Sequence, residues 1–237
     1  SGFGSNATST AATSGSGATG SASSGQGGGG APNVGLESLG SLVVLGDSIS
    51  DGGGQSPYYY NLLRDMLEAK YGGLAYHREA ESGSKTGALA GQIDDLPNQL
   101  PGPVAVAITS GGNDMKDALP LIVAGADASA RATMGNNIDA ALAELTAPGR
   151  FGSGVEVYVF ETTIYDASSG VGDFGQHGCA FGQGVPAIPT DTFFANWNGE
   201  IAGSVAAHGQ TLVDMHAAFY DHGYAGSPNW FASDCTH

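Results

Sequence analysis

The sequence predicts an α/β domain, a three-layer α/β/α sandwich around an open five-stranded parallel sheet. Short apolar runs of strand length alternate with segments whose apolar residues recur at helical spacing. The strand-like runs are bounded by glycine and other turn residues, as buried parallel strands are. Five such runs in roughly 170 residues suit an open sheet better than an eight-stranded barrel.

The first run, residues 41–45, reads SLVVL and stops at Gly46. Ser56 and Pro57 then supply an N-cap and a first-turn proline for a helix. Tyr59, Leu62, Leu63, Met66 and Leu67 form its apolar face, and Gly72 and Gly73 stop it. A weaker strand covers 74–80. Residues 86–99 predict a second helix, with Leu89, Ile93 and Leu96 on one side. Val104, Ala105, Val106, Ala107 and Ile108 form the next buried strand, and Ser110, Gly111 and Gly112 end it. Residues 116–131 mix helix and loop. Met134, Ile138, Ala141, Leu142 and Leu145 mark a further helix, closed by Pro148 and Gly149. Val155, Val157, Val159 and Phe160 belong to a fourth strand. Residues 166–189, rich in Gly and Pro, form a long surface excursion. Residues 190–208 return to helix, and Thr211, Leu212 and Val213 are a short fifth strand.

The 237 residues divide in two. All but three of the first 30 (Phe3, Asn6 and Gln26) are Gly, Ser, Ala or Thr, and no charge appears before Glu37. Such a stretch buries too little apolar surface to offset its ordering entropy, so residues 1–35 are expected to be a disordered tether. Residues 36–237 are long enough for one domain with a sizeable core. Lys and Arg total 7 against 23 Asp and Glu, a formal net charge of −16. No cationic footprint exists for phosphates, so nucleic acid is excluded as a partner and anionic surfaces are disfavoured. No apolar run of about 18 residues is present to cross a bilayer. The two cysteines, Cys179 and Cys235, are expected to form one disulfide in an exported protein; two free thiols are the other reading.

In a parallel sheet of this kind, ligands bind outside the carboxyl ends of the strands. Gly46, Asp47, Ser48, Ile49 and Ser50 follow the first strand. Ser82, Gly83 and Ser84 follow the second, and Gly111, Gly112, Asn113 and Asp114 the third. Asp234, Cys235, Thr236 and His237 come last. These four blocks, in this order, resemble the SGNH (GDSL) hydrolase family of esterases and lipases, and they span the globular part of the chain. The resemblance implies a flavodoxin-like sandwich and a serine ester hydrolase that uses no metal or other cofactor. It implies Ser48 as nucleophile, His237 as general base and then acid, and Asp234 as the orienter of His237. The backbone N–H groups of Ser48 and Gly83, with the side-chain amide of Asn113, would form the oxyanion hole. The chemistry is coherent: a serine hydroxyl is a poor nucleophile until a base takes its proton. Asp234 lies three residues before His237, so one short turn can hold its carboxylate at the far ring nitrogen. Glycine at 83 lets its backbone approach a substrate closely. Family members normally continue past this histidine into a helix that packs on the sheet. The domain is therefore expected to lack that helix, with His237 held loosely and its ring pKa raised by its own carboxylate.

Other residues carry blander readings. Gly46 serves a tight turn, and Asp47 and Asp114 anchor their loops. Residues 51–54 lack the Lys and following Ser or Thr of a phosphate loop and read as a flexible loop. His216 and His222, near Asp214 and Asp221, fit no common ligand spacing and read as surface histidines. Tyr58, Tyr59 and Tyr60 offer a lining for an acyl groove, but one helical face of them reads as core. Trp230 and Phe231 either line the site or pack the last loop. A bond between Cys179 and Cys235 would pin the His237 loop to the excursion. The sequence thus predicts a secreted or cell-surface (periplasmic or extracellular) monomer whose tether offers a place for a lipid anchor. Its partners are small-molecule or lipid esters of short to medium acyl chains, cleaved through an acyl-enzyme. The alternatives are a carbohydrate O-acetyl esterase and a non-catalytic surface binding module on the same fold.

Overall fold

The structure, a computed structural model, describes residues 36–237. The tether expected over 1–35 lies outside the described residues. Strands β1 (Ser41–Gly46), β2 (Ala75–Arg78), β3 (Val104–Thr109), β4 (Val157–Thr162) and β5 (Thr211–Val213) form one parallel sheet. Its order is β2-β1-β3-β4-β5. The helices are α1 (Ser48–Asp51), α2 (Tyr59–Tyr71), α3 (Leu89–Asp94), α4 (Gly112–Asp117), α5 (Leu119–Val123), α6 (Ala128–Leu145), α7 (Asp191–Ala207) and α8 (Met215–Phe219).

Alternate residues of a strand point to opposite faces of a sheet. Val43, Leu45, Val104, Val106, Ile108 and Val159 meet α3, α6 and α7 in a core that includes Ile93, Ile138, Leu142, Trp197 and Ile201. Leu42, Val44, Ala105 and Phe160 face the other way, toward Tyr60, Leu63 and Leu67 of α2. One face therefore carries three long or buried helices and the other carries α2. Beside α2 a groove of about 900 Å³ runs over Ala105, Ala107 and Phe160 to Trp230 and His237.

Several boundaries differ from the sequence expectation. Ser56 and Pro57 do not open α2; the helix begins at Tyr59, with Tyr58 extended at its N-cap and no side-chain cap. The tyrosines set this start. Tyr58 stacks on Tyr60 with ring centroids 5.5 Å apart, and the Tyr59 hydroxyl meets Ser50 Oγ at 2.6 Å. The edge strand β2 shrinks to four residues, having only β1 to pair with. The helix expected over 86–99 is a 3₁₀ turn, Thr86–Ala88, followed by α3. Pro97 disfavours helix at the residue before it, and the chain leaves helix geometry there. The mixed stretch 116–131 resolves into the end of α4, then α5, then the first turn of α6, so α6 starts six residues before Met134. Asp127 explains the early start, because it holds both Arg131 and the indole N–H of the fully buried Trp197, at 3.2 and 2.8 Å.

One core residue is out of character. Glu161 of β4 is 0 % exposed, and neither carboxyl oxygen has a hydrogen-bond partner among the described residues. Burial, helped by the nearby Asp47 charge, pushes its carboxyl well above the ordinary range. A carboxyl whose folded pKa is raised costs stability as pH climbs above its unfolded value, so the penalty is present at neutral pH and fades in acid. Glu161→Leu should therefore raise the melting temperature at pH 8 by roughly 4–8 °C, corresponding to about 2 kcal/mol, with a smaller gain at pH 5. Scanning calorimetry at the two pH values measures this. An unchanged or lowered melting temperature would mean that the carboxyl is satisfied in solution.

Candidate active site

The site is built from the end of β1 outward. Gly46 has φ +117°, and a Cβ there would lie 1.9 Å from the Thr109 carbonyl oxygen, so only glycine fits. Its N–H donates to Gln92 Oε1 at 2.8 Å. Its carbonyl accepts from Gln92 Nε2 at 2.9 Å, Ser84 Oγ at 2.9 Å and the Glu81 N–H at 3.0 Å. The Asp47 N–H donates to the Thr109 carbonyl at 2.9 Å, and the chain turns at once into α1. Asp47 Oδ1 accepts from the Ile49 N–H and from Thr109 Oγ1, both at 3.1 Å. Burial pushes the Asp47 carboxyl up to about 6, although those two donors and the His237 ring oppose the rise. Ser48 stands first in α1, half-buried, and neither its N–H nor its hydroxyl meets an acceptor or donor among the described residues.

Two further loops lie against this turn. Gly83 is exposed at φ +82°, with nothing within 4 Å of where a Cβ would be. Its glycine is therefore needed for the left-handed backbone rather than for space inside the protein. Its neighbour Ser84 ties this loop in two directions, to the Gly46 carbonyl by its hydroxyl and to Asn113 by its carbonyl, which accepts from Asn113 Nδ2 at 2.8 Å. Asp114 clamps the same pair of loops, accepting from the Thr86 N–H at 2.9 Å and from Thr86 Oγ1 at 2.8 Å.

The last block folds on itself. Asp234 Oδ1 accepts from the N–H groups of Thr236 and His237, at 3.0 and 3.1 Å, while Oδ2 meets His237 Nδ1 at 2.5 Å. Partial desolvation works against the Asp234 charge, but these donors outweigh it and hold the carboxyl below its usual value. The far nitrogen, Nε2, is buried and has no partner among the described residues, so the hydrogen bond from Ser48 to His237 is not made in this structure. The ring lies on the turn that carries Ser48. A Cβ at Gly53 would fall 2.1 Å from Nε2 and 2.8 Å from the Ser48 carbonyl oxygen. Cys235 is bonded to Cys179 across 56 residues, and Tyr165 OH donates to the Thr236 carbonyl at 2.5 Å.

The sequence left some participants unseen. Residues 51–54, expected as a flexible loop, are tied down. Asp51 pairs with Arg78 at 2.7 Å and accepts from the Ser82 N–H and hydroxyl, and Gly53 makes room for the His237 ring. Gln92 lies within the helix expected over 86–99 with no role of its own, and nothing in the sequence reading singles out Tyr165. Asp166 gathers the base of the excursion, accepting from Ser168 N–H and Oγ, the Gly170 N–H and the Thr190 hydroxyl. His216 and His222 pack as aromatic rings, on Phe194 and Trp230.

Two spaces open beside the turn. A pocket of about 100 Å³ is lined by Ser48 and Asn113, with walls from α4, α5, the excursion and the start of α7. The groove beside α2 touches His237, Gly53 and Trp230 instead.

The model of the GDSL-like Lipase/Acylhydrolase family matches residues 44–237. No curated protein matches the chain. Among solved structures, an extracellular lipase from Streptomyces rimosus is similar at 21 % identity and TM-score 0.56, over 84 % of this chain and 92 % of that one. A phospholipase A1 from Streptomyces albidoflavus NA297 is similar at 20 % identity and TM-score 0.52, over 82 % and 87 %. An acetylxylan esterase from Geobacillus stearothermophilus is similar at 16 % identity and TM-score 0.54, over 84 % and 87 %. At such identities these three share the fold. The family match, which runs from the middle of β1 to His237, goes further: the chain belongs to the GDSL-like lipase/acylhydrolase family and is a hydrolase that cleaves ester bonds.

Proposed function

We propose that the protein is a serine ester hydrolase acting through an acyl-enzyme on carboxylic esters with short to medium acyl chains. The observation that carries this reading is the pairing of Asp234 with His237, which leaves a buried, unpartnered Nε2 against the turn that bears Ser48. Asp234 fixes the tautomer in which Nδ1 holds the proton, so Nε2 has a lone pair to offer. Ser48 Oγ attacks the ester carbonyl as its proton passes to Nε2. The N–H groups of Ser48 and Gly83 have no acceptor among the described residues, and the Asn113 amide has a second N–H beyond the one given to Ser84. These three donors receive the oxyanion. His237 then protonates the leaving alkoxide, and it activates a water that frees Ser48. Contacts between nucleophile and base are often long without substrate and tighten in the complex. None of these steps calls for a cofactor.

A second reading, hydrolysis of O-acetyl groups on a carbohydrate, is favoured by Trp230. It is 48 % exposed on the loop leading to His237, and His222 stacks on it at 3.6 Å, a rigid aromatic surface of the kind a sugar ring covers. A series of p-nitrophenyl esters against acetylated xylan separates the two. The disulfide supports an oxidising location, either secreted or at the cell surface.

Ser48→Ala should abolish both p-nitrophenyl ester hydrolysis and labelling by a fluorophosphonate probe while leaving the melting temperature within about 2 °C, since a turn hydroxyl without partners adds little stability. Residual turnover above about one per cent would remove Ser48 from the nucleophile role. Asn113→Ala should lower kcat by roughly 10²–10³-fold with a smaller change in KM, because its amide acts on charge that develops in the transition state. A change confined to KM would instead make Asn113 a substrate-binding residue.

A further inference from the structure

We infer that the pocket beside Ser48 receives the acyl chain, that the alcohol leaves along the groove at His237, and that Phe181 limits the acyl chain to about five carbons, the carbonyl included. This rests on the serine-hydrolase reading above. The assignment follows from the four bonds of the tetrahedral carbon. One goes to Ser48 Oγ. The oxyanion must face Asn113 and its companion N–H groups. The leaving oxygen must face Nε2, which gives it a proton. The acyl chain takes the remaining direction. The pocket is lined by Ser48 and Asn113 but not by His237, whereas the groove is lined by His237 and not by Ser48 or Asn113. The two spaces are thus sorted by which reacting bond each one borders.

The pocket suits a short hydrocarbon. Its apolar walls include Met115, Leu119, Ile164, Phe181, Phe193 and Phe194. A cavity of roughly 150 Å³ holds benzene, so a pocket of about 100 Å³ holds roughly four carbons beyond the carbonyl, with little left over for longer chains. Phe193 and Phe194 are buried in the first turn of α7, and Leu119 is buried in α5, so these walls are fixed. Phe181 differs. It sits on a 3₁₀ turn, Ala180–Gly182, in the excursion, half-buried, with its ring 5.1 Å from that of Phe174. Its near neighbour Cys179 is bonded to Cys235. The bond that steadies the His237 loop therefore also holds the outer wall of the acyl pocket.

The test uses p-nitrophenyl esters from acetate to decanoate with the full chain. The wild type should peak near butyrate, and kcat/KM should fall at least tenfold by decanoate, since each misplaced methylene in an apolar pocket costs 10-fold or more. Phe181→Ala should raise the decanoate-to-butyrate ratio at least tenfold, and Phe181→Trp should lower it and move the peak toward acetate. The double variant Cys179→Ser, Cys235→Ser should broaden the profile in the same direction as Phe181→Ala. If the wild type hydrolyses esters and both Phe181 variants keep its chain-length ratio, the acyl assignment is wrong. If they change selectivity among alcohols at a fixed acyl group, the two spaces are exchanged. If no ester is cleaved and no fluorophosphonate is bound, the serine-hydrolase reading fails and takes this inference with it.

Discussion

The site depends on a close approach of two backbones. Gly46 meets the Thr109 carbonyl at a distance that no side chain would permit. It does so at the end of β1, which lies between β2 and β3, where successive crossovers leave the sheet in opposite directions. With glycine there, β1 and β3 end level, and Asp47 can donate to the same carbonyl that Gly46 crowds. The Gly46 carbonyl in turn collects Glu81, Ser84 and Gln92. The loops carrying Ser48, Gly83 and Asn113 are thus measured from one short piece of backbone. Under the proposed mechanism, misplacement of about 1 Å in such a constellation can cost roughly 10²-fold in rate, so this anchoring matters as much as the groups proposed to react.

The acids around the site are sorted by solvation. Asp47 and Glu161 lie behind the turn, buried, and both are pushed toward the neutral form. Asp234 is exposed and has three donors, so it stays charged. Environments that separate carboxyl groups in this way assign them different work. The His237 ring bonds Asp234 directly and also interacts with the Asp47 carboxyl, which burial holds at about 6.

The fold class was legible because parallel strands are short, apolar and punctuated, and SLVVL, VAVAI and the run around Val159 are all of these. The blocks GDS, SGS, GGND and DCTH were legible for a related reason: each is a contiguous string whose place after a strand, or at the end of the globular part, can be inferred without knowing the fold. What stayed hidden are pairings across distance. Gln92 reaches Gly46 from 46 residues away, and Tyr165 reaches Thr236 from 71. Gly53 makes room for a ring 184 positions later, and nothing in the run GGG announces it. The start of α2 was misread for a similar reason. Ser56 and Pro57 form a good local signal, but Tyr59 answers to Ser50 and Tyr60 to Tyr58, and those contacts decide where the helix begins.

The two faces of the sheet are covered unequally, and this sets the order in which the molecule comes apart. α6 and α7 pack on each other and on the sheet, while α2 is the one long helix on its side among the described residues, with Leu62 and Met66 turned to water. Segments with fewer buried neighbours open at lower free energy than the core they rest on. α2 is joined to the Ser48 turn by Tyr59, whose hydroxyl holds Ser50, which also holds Thr109. When heat lifts α2, the turn loses its brace although the slab on the opposite face remains intact. Inactivation should then run ahead of melting: one helix sets the temperature at which turnover stops, and three set the temperature at which the fold is lost.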